Sequence, residues 1–241
     1  LPVPDLEVFD KELFCDENGF YKGFHRIYTS RGCPAYCTFC DWQVFKQTFK
    51  EYDIRAMVDD ILMRHEKYGI DTFSIADDCF TVNRDRVYEF CELIKPHNLT
   101  WKSNSRASLV TLDLLKTLKN SGCHSIAYGL ESGDSATLKR INKKVTLEEN
   151  INACRWAFEA GLECYGCLMT GFPFETEENV RNTVDFVYKV WDYVSLFQVS
   201  GSLMPFPGSP IYKTNKKKFN FENFWLEPEY QECGIQLYQN A

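Results

Sequence analysis

The chain has no run of eighteen apolar residues free of charges or of Gly and Pro clusters, so no membrane-spanning helix is expected. Positive charge is not in excess. There are 27 Lys plus Arg against 34 Asp plus Glu, a formal net charge of −7, and the pI is near 5.2. Such a surface matches bulk nucleic acid poorly, and nucleic acid is not an expected partner. Histidine is scarce: the four residues form no H-E-x-x-H or paired spacing, which argues against a His-based metal site. Residues Leu1 to Asp10 alternate Pro and acid, without the basic segment and apolar run of a signal peptide. The 11 Cys are an odd number for a disulfide framework. A reducing, cytoplasmic compartment follows as the expectation, where Cys binds metal or packs as a small hydrophobe.

What is present is the makings of a core. Apolar residues reach 44% of the 241, which excludes intrinsic disorder, and aromatics reach 15%, which suits a bulky core or a pocket for a flat ligand. Strand-like and helix-like segments alternate. His25–Ser30 reads as a short strand, and Tyr52–Lys67 carries Ile54, Met57, Val58, Ile61 and Leu62 on one helical face before Gly69. Thr72–Ala76 is a strand, and Arg84–Lys95 is a helix capped by Asn83. Leu99–Asn104 is a strand. Thr111 caps a helix with Leu112, Leu115 and Leu118. Ser125–Leu130 is a strand, and Thr146 with Glu149 forms a capping box ahead of a helix that ends at Gly161. Leu162–Thr170 and Val194–Leu203 are strands. Between them Thr176 caps a helix whose apolar stripe is Val180, Val184, Val187 and Trp191. Six strands alternating with five helices predict parallel βαβ units and a partial, open (β/α)6 barrel, too few for an eight-fold closure. Residues 22–212 hold this rhythm; 1–21 and 213–241 read as flanks.

The strongest chemical signal is Cys33-Pro-Ala-Tyr-Cys37-Thr-Phe-Cys40, in the loop after the first strand. An α/β barrel keeps its active site at that end of its strands. Three thiolates in eight residues can wrap a soft metal centre, and three ligands leave a position open for a substrate or cofactor. A zinc knuckle needs a fourth ligand, for which His25 or Cys15 would have to serve.

The spacing C-x3-C-x-aromatic-C, with Phe39 as the aromatic, resembles the radical S-adenosylmethionine (radical SAM) superfamily. Thr29-Ser30-Arg31-Gly32-Cys33-Pro34 and Cys40-Asp41-Trp42 are similar to the cluster loop of its cobalamin-binding group. Asp77-Asp78-Cys79-Phe80, Gly129-Leu130-Glu131-Ser132-Gly133, Gly171-Phe172-Pro173-Phe174-Glu175-Thr176 and Pro205-Phe206-Pro207-Gly208-Ser209-Pro210 resemble its other signatures, in order, at successive strand ends. The resemblance departs at Phe174, where the family often has Gly. It implies a [4Fe–4S] cluster on Cys33, Cys37 and Cys40, with SAM completing the fourth iron and cleaved by one electron to a 5′-deoxyadenosyl radical.

The resemblance further implies that Asp77 and Asp78 receive the SAM amino group. Arg106 after the third strand suits its carboxylate. Glu131 suits the ribose or the amino acid end. Phe39 and Met169 are candidates for an adenine slot. The residues themselves leave other readings open: a solvated Asp pair, a surface Arg106, a salt bridge at Glu131, a core Met169. Cys164 and Cys167, three apart on a strand, face opposite sides and cannot share a metal. Cys91 and Cys154 read as core. Cys79 lies near the expected SAM site.

The leading reading is a radical SAM enzyme that transfers a methyl group or performs related radical chemistry on an unactivated carbon. Cobalamin enters by resemblance only, since these residues hold no domain for it. A small-molecule or peptide substrate and an electron donor such as flavodoxin or ferredoxin are the expected partners. The alternatives are a methylthiotransferase acting on tRNA or protein and a non-catalytic iron–sulfur electron carrier.

Overall fold

A computed structural model describes residues 25–41 and 48–218. The expectations for residues 1–24 and 219–241, and for Cys15 and Trp42, lie outside the described residues.

The sheet has six strands, all parallel and in chain order: β1 (Arg26–Ile27), β4 (Thr72–Ile75), β5 (Thr100–Ser105), β6 (Cys123–Glu131), β7 (Glu163–Thr170) and β8 (Leu196–Ser202). β1 and β8 are its edges. The first strand is shorter than the apolar pattern suggests. After Ile27 the chain leaves the sheet, and β2 (Ser30–Arg31) pairs antiparallel with β3 (Lys50–Glu51), a two-stranded ribbon on either side of the cysteine loop.

The helices begin where short polar side chains cap free N–H groups. Asp53 accepts from Ala56 N at 2.9 Å to open α1 (Ile54–Tyr68), and Asn83 accepts from Arg86 N to open α2 (Arg84–Ile94). Thr111 caps α3 (Leu112–Asn120), and Asp134 caps the short α4 (Ser135–Arg140). Full capping boxes start α5 (Leu147–Glu159), with Thr146 and Glu149, and α6 (Glu177–Val190), with Thr176 and Asn179. Ser209 caps α7 (Pro210–Asn215), which runs across position 212.

Strand alternation divides the sheet into two surfaces. The outer one meets the helices. Trp101 is its centre, stacked on Phe73 at 6.4 Å and edge-on to Phe80 and Phe90, with its indole N–H donated to Ser121 O at 2.9 Å. Ile75, Ile126, Tyr128, Leu130 and Cys164 continue this core, and Cys91 and Cys154 are buried in it as expected.

The face of α6 differs from expectation. Thr183, Phe186 and Val190 are its buried residues; of the expected stripe only Val187 packs against the core, half-buried, whereas Val180, Val184 and Trp191 are exposed. The close approach is made at Gly133, where a Cβ would stand 2.2 Å from Phe186 Cβ and 2.8 Å from Thr183 Cα. Ser132 Oγ and Gly133 N both hydrogen-bond Thr183 Oγ1. The partner's backbone, not the local apolar count, selects which side of this helix is buried.

Candidate functional site

The inner surface opens at the carboxyl ends of the strands into a cavity of about 580 Å³. Cys33, Cys37, Phe39 and Cys40 line it from the loop, Asp78 from the segment after β4, Asn104 from β5 and Arg106 just past it, Glu131 from β6, Cys167 from β7, Gln198 from β8, and Lys143 from the segment after α4. The three loop cysteines thus share one wall with most of the polar groups expected to meet SAM.

The loop is held at both ends. On the entry side Asp77 is buried and its carboxylate accepts four hydrogen bonds, from the N–H and hydroxyl of Thr29 and of Ser30, at 2.6–3.0 Å. Arg86 of α2 donates to Thr29 Oγ1 at 3.2 Å, to Thr29 O and to Tyr52 O. Asp77 is therefore spent on the chain leading into Cys33 and does not line the cavity; of the two aspartates only Asp78 faces it. On the exit side Thr38 N donates to Ile141 O at 2.9 Å, Ile211 N to Thr38 O at 3.0 Å, and Asn142 Nδ2 to Tyr36 O at 2.7 Å. A small apolar cluster of Leu138, Ile141, Phe172, Leu203 and Ile211 supports this side, with Phe39, Met169 and Phe174 packed against it. Met169 sits there rather than on the cavity wall. Phe174, the departure from the family pattern, stacks on Phe172 at 5.6 Å and lies under Arg140 at 3.9 Å.

Glu131 and Lys143 form a buried ion pair at 2.6 Å. The backbone is shaped for it. A bulge ends β6, and Glu131 has φ +64°. Asn142 and Lys144, either side of Lys143, have φ +53° and +54°, conformations that persist only where surrounding structure imposes them. Gly129 supplies the space: a Cβ there would lie 2.4 Å from Glu131 Oε1 and 2.8 Å from Lys143 Nζ. Lys143 Nζ also stands 5.9 Å from the centre of the Phe39 ring. Lys143 was not foreseen. Its neighbours carry no signal, because its burial arises only when the loop after α4 folds over the cavity. Cys167, Asn104 and Gln198 were missed for the same reason.

Arg106 Nη1 donates to Cys37 Sγ at 3.5 Å, and Nη2 donates to Lys143 O. The Cys37 thiol is lowered to about 6, first by the hydrogen bond from Cys40, against the effect of burial, and then by Lys143 and Arg106. The Cys40 thiol moves up, as the partner that keeps its proton. Cys79 is fully buried behind this wall, and burial raises its pKa. Cys164 and Cys167 do face opposite ways: Cys164 lies in the core against Cys154, and Cys167 faces the cavity.

The donor set fits a polynuclear cluster. Among the described residues no three His, Cys, Asp or Glu side chains converge closely enough to clamp one metal ion. A cluster asks for less convergence, since each thiolate takes a different iron. Three cysteines on one wall, with Arg106 and Lys143 beside them to offset their negative charge, meet that demand. His25 lies at the opposite, amino-terminal end of β1 and is no part of this wall.

The model of the radical SAM superfamily matches residues 27–187. This chain belongs to the radical SAM superfamily, and membership implies a [4Fe–4S] cluster and SAM. It is 28% identical over 216 residues to an uncharacterized methyltransferase of Pyrococcus horikoshii, covering 88% of this chain and 46% of that protein. It is 29% identical over 239 residues to the cytidylyl-2-hydroxyethylphosphonate methyltransferase of Streptomyces wedmorensis, covering 95% and 44%. The chain thus spans less than half the length of these relatives. In fold it is similar to the radical SAM methyltransferase TsrM from Kitasatospora setae, with cobalamin and a [4Fe–4S] cluster bound. That match has a TM-score of 0.71 and 19% identity, covering 80% of this chain and 36% of that one. The cobalamin-dependent SAM radical enzyme OxsB matches with a TM-score of 0.70 and 19% identity, covering 82% and 36%. Radical SAM enzymes need a reductant. Among the described residues no helix is long and apolar enough to cross a membrane.

Proposed function

We propose that these residues form the catalytic core of a cobalamin-dependent radical SAM methyltransferase that methylates an unactivated carbon of a small molecule or peptide. The observation that carries this reading is the single cavity on which Cys33, Cys37 and Cys40 meet Asp78, Arg106, Glu131 and Lys143. Cys33, Cys37 and Cys40 hold the cluster. When bound, the cluster and SAM supply a one-electron reductive cleavage of the sulfonium. The chain's part is to bind and orient. Asp78 accepts from the SAM amino group, and Arg106, released from Cys37, pairs with the carboxylate. Glu131, held by Lys143, receives the ribose hydroxyls, and Phe39 flanks the adenine. Asp77 acts one step back, fixing the loop.

That both relatives are methyltransferases supports methyl transfer over other radical outcomes. A flavodoxin or ferredoxin in a reducing cytoplasm serves as the electron donor. The core takes in residues 22–215, since α7 passes the boundary at 212 and Ile211 braces the cysteine loop.

The test is anaerobic reconstitution, reduction, and incubation with methyl-labelled SAM and added cobalamin. Four irons per chain and 5′-deoxyadenosine are expected from the unmodified chain, roughly as thiolate-ligated [4Fe–4S] proteins behave. Changing Cys33, Cys37 and Cys40 together to Ala should abolish both. A loaded, reduced, SAM-binding protein that forms neither 5′-deoxyadenosine nor any methylated product would identify an electron carrier instead.

A further inference from the structure

Two side chains of the segment leading into the cysteine loop have no part in the site described so far. Thr29 and Ser30 are turned inward and pinned by Asp77, so their neighbours Tyr28 and Arg31 are turned out. Tyr28 is 50% exposed. Among the described residues neither the Tyr28 nor the Arg31 side chain has a hydrogen bond, an ion pair or a ring contact. They do not face open solvent alone. With Ser30, Ala76 and Asp78 they line a second cavity of about 220 Å³ at the β1 edge of the sheet.

This annex adjoins the larger cavity through Asp78, which lines both. Its chemistry differs from that of the larger one. There the cations are paired: Lys143 with Glu131, and Arg106 with Cys37 and a carbonyl. In the annex the Arg31 guanidinium makes no ion pair among the described residues and shares the cavity with an exposed tyrosine, on a backbone that the buried Asp77 and Arg86 network holds. A fork of N–H donors recognises a carboxylate or phosphate, and a phenol ring offers a flat surface for another ring. The volume admits one ring with its acid group.

We infer that the Tyr28–Arg31 annex binds the acceptor substrate, through a planar ring bearing a carboxylate or phosphate. Tyr28 stacks on the ring, Arg31 pairs with the acid, and Asp78 separates this molecule from SAM. The inference rests on the reading of the larger cavity as the SAM site, and the experiment separates the two.

The test is anaerobic calorimetry on the full, cluster-loaded chain, with phenyl phosphate, benzoate, inorganic phosphate and benzamidine as probes. Phenyl phosphate and benzoate are expected to bind at about 1 mM, and benzamidine and inorganic phosphate much more weakly. Arg31→Gln should weaken phenyl phosphate about tenfold, Arg31→Lys less, and Tyr28→Ala severalfold. Saturating SAM should leave phenyl phosphate bound. Displacement by SAM would put the anion at Arg106 and Lys143 and overturn the inference, as would equal binding by benzamidine or indifference to Arg31→Gln. The competition uses the unmodified chain, so it decides even where a variant fails to fold. SAM titrated alone tests the larger cavity; its failure to bind rejects that reading without bearing on whether the annex takes an aryl acid.

Discussion

The two surfaces of the same sheet are built on opposite principles. On β5, Trp101, Ser103 and Ser105 point outward and are buried, while Asn104 and the following Arg106 point to the cavity. On β6, Ile126, Tyr128 and Leu130 fill the outer layer, while Ala127, Gly129 and Glu131 line the inner one. The outer surface is mostly apolar and interlocked with helices. The inner one is small, polar or charged, and its order comes from hydrogen bonds and the Glu131–Lys143 ion pair. Stability and ligand chemistry are thus divided between alternate residues of single strands.

The largest test of that division is Trp101→Ala. It empties the contacts with Phe73, Phe80 and Phe90 and should cost about 3–5 kcal/mol in urea unfolding. Asn104→Ala, on the other side of the same strand, should cost no more than about 0.5 kcal/mol and be felt in ligand binding instead. A reversal of the two would break the comparison.

Glu131→Gln comes next, because it leaves the Lys143 ammonium buried without its partner. The expected loss is about 3 kcal/mol, with most of it recovered when Lys143→Met is added, since removing both charges also removes the burial penalty. A double variant no better than the single one would show that the pair stabilises the loop by more than charge balance.

A smaller effect belongs to Asp134, a polar group with a structural task as the cap of α4. Burial works to raise its pKa, but the hydrogen bonds from Asn182 and Thr137 outweigh burial and hold it below the ordinary carboxylate range. Its folded pKa is depressed, so its contribution is complete above the unfolded value and disappears as pH falls through the folded one. Asp134→Ala should cost about 1 kcal/mol at neutral pH, and the difference from the unmodified chain should vanish in acid.

The smallest effect sharpens the boundary of the outer layer. Val184→Lys should change stability by no more than about 0.5 kcal/mol, because Val184 is 48% exposed. A loss of several kcal/mol would restore the apolar stripe read from sequence as the packed side of α6.

That stripe shows where local pattern stops being informative. Caps are decided within four residues, so Asn83, Thr111, Thr146 and Thr176 stand where they were expected. Val180, Val184, Val187 and Trp191 are as regular as any buried stripe. Yet α6 turns Thr183 and Phe186 inward because Gly133 lets its backbone approach there. Asp77 and Asp78 teach the same lesson at the site. Adjacent and chemically identical, they were expected to act alike, but the turn after β4 sends one to Thr29 and Ser30 and the other into the cavity.

The amino-acid sequence by itself determined the order of the six sheet strands and the five longer helices, the caps at Asn83, Thr111, Thr146 and Thr176, and the spacing of Cys33, Cys37 and Cys40, because each depends on neighbours a few residues apart; the short α4 and α7 and the β2–β3 ribbon were not read from it. Tertiary structure alone decided that Lys143 is buried against Glu131, that Met169 supports the loop from below, that Cys167 and Gln198 enter the cavity, and that Arg31 and Tyr28 share an annex with Asp78. Those facts depend on which segments the closing sheet and its loops bring together, and a charge or a thiol carries no local mark of the neighbour it will meet.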